Sequence, residues 1–349
     1  MGQLVKIREN LKTVAGPAFA ILAALIIGGI ILILIGSNPL RVYTEIFTLG
    51  MGTYLGITES LKRMVPLLII SAGLIIVFKT GIWNIGGNGQ FLIGAILVGG
   101  IAPLLVNKFP LYVFFLISSL IGFLGGALWI SIPAVLKAKY EINEIIVTMM
   151  MDFVAIYFTS YLVKYPLNAV PGQFPQTTVI PMEKRLPFIP FTEIHIGLIV
   201  GFIVVILAHF FIRKTTLGYE FRFLGENKKA AFYAGVNISK VTILAMLISG
   251  GCAGLAGTND VLGIKGTFQA EWNPSYSFSA IPLVFLARFN GIALIPLAYF
   301  FSFLDIGGEF MSRSANVPVY FVQVIKALML IFLGVGEYFQ KIGKRFWKL

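Results

Sequence analysis

The sequence predicts an all-α, polytopic membrane protein, and three observations carry that reading. Hydrophobic residues make up 58% of the 349 residues and charged residues 12%, whereas a soluble domain carries about 25% charged residues; mean hydropathy is +0.90. Apolar runs recur along the chain, and at about 20 residues per span there is room for roughly eight to ten helices. Finally, the glycine-rich polar stretch Gly81-Ile82-Trp83-Asn84-Ile85-Gly86-Gly87-Asn88-Gly89-Gln90 interrupts apolar sequence that runs from Pro66 to Phe78 and from Phe91 to Val106. At bilayer depth, freed backbone groups persist only where they are buried in protein or line a watery cavity, and such breaks mark solute pathways. A tight turn near one membrane face is the competing reading of the same spacing.

The first span is expected over Pro17 to Ile35, after Lys6, Arg8 and Lys12. It is long enough to cross and lacks an Ala-x-Ala site, so it reads as a membrane helix with its N-terminus inside rather than as a signal peptide. Gly36-Ser37-Asn38-Pro39 is a turn, and Leu40 to Arg63 alternates in polarity like an interfacial element on the outer face. The second span is expected from Met64 to Phe78. The third leads out of the glycine-rich break and ends near Pro103. The fourth covers Leu111 to Leu136, where Gly122, Gly125 and Gly126 allow close helix approach. Lys137 and Lys139 mark an inside loop.

The fifth span, Ile142 to Val163, carries Asn143, Glu144, Thr148 and Asp152. At 100° per residue Glu144, Thr148 and Asp152 drift only about 80° around a helix, which places two carboxylates and a hydroxyl on one side. Ionisable groups inside a span point to function, but Glu144 at a helix start is also favoured by the helix dipole. Both readings stay open. The proline-rich stretch Tyr165 to Glu193 excludes regular helix or inner strand and is expected outside, as a partner-binding or merely solvated loop.

The sixth span runs from Ile196 to Ile212, with His195 and His209 near its ends; their spacing fits no metal motif, and both read as interfacial. The strongly charged segment 213–240 is expected in the cytoplasm. Within it, Gly225 to Val236 reads as a short helix bounded by Gly225 and Gly235, with Glu226 or Asn227 as its cap. Ala230, Ala231 and Ala234 would give that helix a low-profile face, suited to a groove on another protein or simply to the membrane surface. The seventh span, Val241 to Leu262, has close-packing glycines at 250, 251, 254 and 257 and ends at Asn259 and Asp260.

Lys265 to Asn273 and Asp305 to Asn316 read as outside loops. Ser277 to Ala287 and Ile292 to Leu304 are short apolar runs around an inside turn at Arg288 to Gly291. The last span is Val317 to Val335, where Lys326 is expected to face the bundle or pair with a carboxylate. Counting both short runs gives about ten spans and puts the basic tail (Lys341, Lys344, Arg345, Lys348) inside, in keeping with the positive-inside rule. The net charge of +12 is spread between apolar blocks, as expected of such loops and not of a nucleic-acid surface. A single cysteine, Cys252, rules out a disulfide framework and any multi-cysteine metal site.

Taken together, Phe78 to Gln90, Asn143-Glu144-Ile145-Ile146-Val147-Thr148, and Thr216-Leu217-Gly218 followed by Gly225-Glu226-Asn227-Lys228-Lys229-Ala230-Ala231 resemble the permease subunits of ATP-binding-cassette importers, in the branched-chain amino acid and simple-sugar family. The Asn-Ile-Gly-Gly-Asn-Gly-Gln stretch is most similar to the nucleoside (basic membrane protein type) branch, and the resemblance runs from Pro39 to Val335. It implies a type II importer-like fold over 1–349 as one transmembrane domain. It places Asn84, Asn88 and Gln90 at a broken helix beside the central cavity, with Trp83, Asn143, Glu144 and Asp152 as further pathway candidates. It makes Gly225 to Val236 a coupling helix, and with it Gly225, Glu226, Asn227, Ala230, Ala231 and Gly235 the contacts to a separate ATPase subunit.

The resemblance also implies a second permease subunit, expected as a related heterodimer partner, an extracytoplasmic solute-binding protein, and a place in the cell membrane with both termini cytoplasmic. No cofactor is expected in this chain, because ATP would be bound by the partner: Gly343-Lys344 lacks the rest of a phosphate-binding loop. Two positions depart from the family pattern. Asp152 stands where a neutral Asn is expected, and Asn88 where relatives often carry an acid. The expected cargo is a nucleoside, with Trp83 as a stacking ring or an interfacial anchor; simple sugars or branched-chain amino acids are the alternatives. An ion-coupled carrier using Glu144, Asp152 and Lys326 is the rival of another class. A membrane enzyme lacks any catalytic motif here, and no nucleic acid is implied.

Overall fold

The computed structural model describes residues 2–314 and 317–346, with side chains for 16–314 and 317–336. The side chains of Lys6, Arg8 and Lys12 and those of the basic tail fall outside that set. In order, the helices are α1 (Gly2–Leu34), α2 (Pro39–Met51), α3 (Tyr54–Phe78), α4 (Gly87–Leu105), α5 (Leu111–Tyr140), α6 (Glu144–Lys164), α7 (Gly197–Lys214), α8 (Thr216–Glu226), α9 (Lys228–Tyr233), α10 (Ile238–Asp260), α11 (Tyr276–Leu286), α12 (Gly291–Ser314) and α13 (Phe321–Phe346). Among the described residues, eight helices are long and apolar enough to cross a membrane, and two shorter apolar helices, Tyr276–Leu286 and Phe321–Gly336, accompany them. The protein is therefore an all-α, multi-pass membrane protein.

Three expectations change. Leu40 to Arg63 is not one interfacial element: Asn38 caps α2 by accepting from the Leu40 and Arg41 amides, and α3 starts at Tyr54, ten residues ahead of its apolar run. The polar residues that hid this turn are accommodated by burial or pairing, with Thr58 and Ser60 buried and Lys62 within 4.0 Å of Glu193. Asp305 to Asn316 is not a loop as far as it is described, because α12 runs on to Ser314. Asp305 is held there by Lys326, 2.5 Å away. Finally, Gly225 to Val236 is not one helix: Gly225 and Glu226 end α8, and a six-residue α9 follows.

The chain divides into two compact units. The first comprises Met1–Leu61, Pro282–Phe289 and Pro296–Leu349. In it α1 packs on α13, and the Tyr43 hydroxyl donates to the Leu25 carbonyl at 2.6 Å. A Cβ on Gly50 would meet the Phe303 carbonyl, so glycine permits the α2–α12 approach. The second unit, Lys62–Ile281 with Asn290–Ile295, is centred on α4, α5 and α10. The two glycine faces expected on the fourth and seventh spans meet each other here. A Cβ on Gly126 would run into the Gly250 carbonyl, and one on Gly254 into that of Gly122. Small residues allow backbones to touch where lipid gives no hydrophobic drive to association.

Between α6 and α7 the proline-rich chain is irregular apart from a single turn, Met182–Lys184, yet it is well anchored. The Thr177, Ile180 and Leu186 amides donate to the Phe268, Gly266 and Leu262 carbonyls. This stretch therefore packs on the segment that follows α10, where a π-helical turn (Val261–Lys265) closes at Gly266, φ 71°.

Candidate functional site

Everything at the candidate site lies within the second unit. The glycine-rich stretch is a helix break, and it is narrower than expected: Asn88, Gly89 and Gln90 already form the first turn of α4. Residues 82–85 form no helix, and burial alternates along them. Ile82 and Asn84 are buried, while Trp83 is 39% exposed and stands against Phe78, with ring centroids 5.1 Å apart.

The backbone N–H groups freed by the break need acceptors, and α6 provides them. The Trp83 amide donates to Glu144 Oε1 and the Ile85 amide to Thr148 Oγ1, both at 3.3 Å, and the Gly89 amide donates to Asp152 Oδ1. The match is one of pitch. Glu144 and Thr148, four residues and about 6 Å apart along α6, face the amides of residues 83 and 85, and Asp152, one turn further on, faces that of Gly89 in the first turn of α4. Gly86 lies so close that a Cβ would meet the Thr148 carbonyl. The stripe seen in the sequence is thus a brace for the break. Glu144 also pairs with Lys137 of α5 at 2.8 Å. Asn143 is exposed and caps α6 by accepting from the Ile145 amide at 3.0 Å.

On the opposite side Asn84 and Gln90 exchange two amide hydrogen bonds, 2.8 and 2.9 Å, and Asn84 Nδ2 also donates to Ser249 Oγ of α10 at 3.0 Å. Asn88 Nδ2 donates to Asn273 Oδ1 at 2.6 Å. Among the described residues, two buried polar atoms beside this contact have no hydrogen-bond partner: Asn88 Oδ1, and the Oγ of Ser277, which lies against Gly87. Around them the ring of Phe91 stands edge-on to Trp272 and to Tyr276, each at 5.5 Å, and Phe268 stands edge-on to Trp272 at 5.4 Å. Trp272 is half-buried and carries Lys265 Nζ 5.7 Å from its ring centre. The sequence reading missed this aromatic cluster, because Trp272 sits in a loop without periodicity; its one signal was a tryptophan close to Asn273.

The charged segment meets the break directly. A Cβ on Gly225 would collide with the Lys79 carbonyl, and a Cβ on Gly81 would lie 3.5 Å from the Gly225 Cα. Beside this contact is a cavity of about 250 Å³ whose walls include Thr80, Lys137, Glu141, Gly225 and Lys228. Of the two candidate caps, Asn227 caps α9, accepting from the Ala230 amide at 3.0 Å. Lys228 pairs with Glu141 at 2.6 Å and Gly235 ends the turn with φ 82°. Ala231 is fully buried against its own chain and Ala230 partly so, while Lys228, Lys229 and Ala234 are exposed together with the large side chains of Phe232 and Tyr233, at 65% and 87%. Lys326, in the first unit, is buried and paired with Asp305.

A helix broken at a polar lock, braced by a neighbouring helix and touched by a charged elbow, is the kind of break found along solute pathways. The family described as "Branched-chain amino acid transport system / permease component" matches residues 56–333, and the chain belongs to it. Three relatives are similar over most of their length. The glucose ABC transporter permease protein TsgB13 of Haloferax volcanii is 34% identical, covering 93% of this chain and 88% of its own. The guanosine ABC transporter permease protein NupP of Bacillus subtilis is 29% identical, covering 93% and 94%. A second Bacillus subtilis chain, the guanosine ABC transporter permease protein NupQ, is 24% identical, covering 80% and 91%. No solved structure matches. The chain is thus the permease subunit of an ABC importer, without an ATPase activity of its own, and it works with an ATPase and a solute-binding protein.

Proposed function

We propose that this permease carries nucleosides inward past the α4 break. The observation that carries the reading is the pair of buried, partnerless polar atoms, Asn88 Oδ1 and Ser277 Oγ, beside the ring cluster of Phe91, Trp272 and Tyr276. A nucleoside presents a flat base for an aromatic ring and hydroxyl groups to pair with the two atoms. Asn88 carries no charge, which suits a neutral solute. Trp272 takes over the stacking role expected of Trp83, whose exposure fits an anchor at the membrane interface. The resemblance to NupP and NupQ, both named as guanosine permeases, supports this cargo. The second reading, a simple sugar, is favoured by TsgB13. Screening the solute-binding protein that co-purifies with this chain decides between them: nucleoside binding is expected, and hexose binding without nucleoside binding would transfer the proposal to the sugar.

The energy enters at α9. Phe232 and Tyr233, its large exposed side chains, dock on the ATPase subunit, while Asn227, Gly235 and the buried Ala231 shape the element. Motion of α9 and α8 reaches the break through Gly225, seated on Lys79 and Gly81, and biases the bundle between outward-open and inward-open states. Basic residues near this end (Lys137, Lys139, Arg213, Lys214, Lys228, Lys229, Lys240) support a cytoplasmic side for it, with both termini inside. The chain 1–349 acts as one permease domain paired with a second, related permease, as two guanosine permease proteins in one Bacillus support. A bifunctional crosslinker attached at Tyr233→Cys is expected to reach the ATPase.

A further inference from the structure

We propose that a groove between α7 and the start of α12 binds one anionic phospholipid of the cytoplasmic leaflet. The groove, about 460 Å³, has apolar walls that include Val205, Ile206, Phe210, Ile292 and Ile295. It exists because residue 291 is glycine: a Cβ there would stand 3.0 Å from His209 Cβ and 3.2 Å from the Val205 carbonyl, so the first turn of α12 rests directly on α7. From Val205 to Arg213 the wall extends about 12 Å along α7, at 1.5 Å per residue. Its polarity changes sharply along that length. His209, Arg213 and Lys214 line the end where α7 stops, and among the described residues no carboxylate lines the groove.

The two exposed cations make no ion pair among the described residues. Like charges gather nearby instead. Lys79 at the end of α3 is held below its ordinary pKa by burial first, then by Arg222 and, past the opposing pull of Glu226, by Arg213. A positive end that repels itself calls for an anion, and an apolar slot opening onto that anion calls for an acyl chain. One molecule offers both: a lipid with a phosphate headgroup and net negative charge. Basic clusters at the cytoplasmic ends of membrane helices attract such headgroups. The cytoplasmic placement rests on the orientation proposed above, whereas the binding itself does not.

Thermal unfolding of the full-length chain in detergent tests this, with phosphatidylglycerol and phosphatidylcholine of identical chains added in parallel and bound lipid counted by native mass spectrometry. Phosphatidylglycerol is expected to raise the melting temperature and remain bound as one copy, and phosphatidylcholine to do neither. R213Q/K214Q is expected to weaken phosphatidylglycerol retention about 10- to 30-fold, with unfolding in detergent alone unchanged. Equal effects of the two lipids would mean unspecific annular lipid. An undiminished effect in the double variant would put the headgroup elsewhere, and an equal shift from inorganic phosphate would make it a soluble-anion site. Crosslinks from Ile206→Cys to a second permease chain, undiminished by phosphatidylglycerol, would make the groove a protein interface. Each of these four results overturns the proposal, and none depends on which solute is carried.

Discussion

Asn84 and Gln90 hold each other head to tail, each amide donating to and accepting from the other across the helix break at 2.8 and 2.9 Å. Both are buried, so truncating either leaves the other amide unsatisfied, a loss of about 1–3 kcal/mol. Asn84→Leu and Gln90→Leu are each expected to lower the unfolding midpoint, and the double variant to cost clearly less than their sum. A double-mutant cycle read by thermal unfolding checks this; strict additivity would mean that the pair is not a unit.

The brace on α6 separates shape from charge. Asp152→Asn keeps an oxygen for the Gly89 amide and is expected to stay within about 1 kcal/mol of wild type, whereas Asp152→Ala, which removes it, costs about 1–3 kcal/mol. Thr148→Val, a near-isostere without the hydroxyl that serves the Ile85 amide, should resemble Asp152→Ala. Amide hydrogen exchange at residues 83–89 reads the effect locally, and unchanged protection in Thr148→Val would refute the brace.

Gly225→Ala places a methyl group against the Lys79 carbonyl and pushes the elbow off the break. In the assembled importer, solute uptake into vesicles is expected to fall at least about tenfold, roughly 1.4 kcal/mol, while ATP hydrolysis continues. Parallel loss of both activities, or of neither, would show that the contact does not couple them.

In the first unit Lys326 is buried and bonded to Asp305 at 2.5 Å, with the Phe301 ring centre 5.3 Å from its ammonium. Breaking such a pair from one side costs about 3–5 kcal/mol, and removing both charges costs much less. Lys326→Met is therefore expected to destabilise the protein strongly and Lys326→Met/Asp305→Leu to restore most of the loss, as measured by unfolding in detergent. The pair is a structural tie, and so not the free cation that an ion-coupled carrier would need at this position.

His195 lies buried between Gly197 and Gly263, and burial, assisted by the positive charge of Lys62, pushes its pKa down to about 4. Unfolded, the same group titrates near 6.5, so the unfolded chain takes up the proton first as the pH falls. Stability is expected to be level above pH 6.5 and to decline between 6.5 and 4, by up to about 1.4 kcal/mol per pH unit. His195→Gln should flatten that slope in a pH series of melting temperatures, and an unchanged slope would assign the acid sensitivity to other groups.

The spans were legible because length and hydropathy alone define them, and α4, α5 and α6 begin or end within a few residues of expectation. The start of α3 was not, since Glu59, Lys62 and Arg63 look like surface until their partners are known. The Glu144–Thr148–Asp152 stripe followed from helical geometry, but sequence carries no record of what a stripe faces, and backbone amides were its partners. Composition marked α9 as small-faced without saying which way it points, and Ala231 turned inward. Trp272 and the partnerless Ser277 come together with Asn88 only through tertiary contact.

The pitch match between the α6 acceptors and the amides of residues 83, 85 and 89 fixes how this part of the chain can change over time. Side chains at 83 and 85 can be exchanged without disturbing amides that serve as rungs, so the stretch tolerates new letters. Its length is another matter. Adding or deleting one residue between 82 and 85 would reverse the alternation, turning Trp83 inward and Asn84 outward, and would strand every later amide opposite the wrong acceptor. The segment works as a spacer cut to size, and variation in its cargo preference has to come from residues around it.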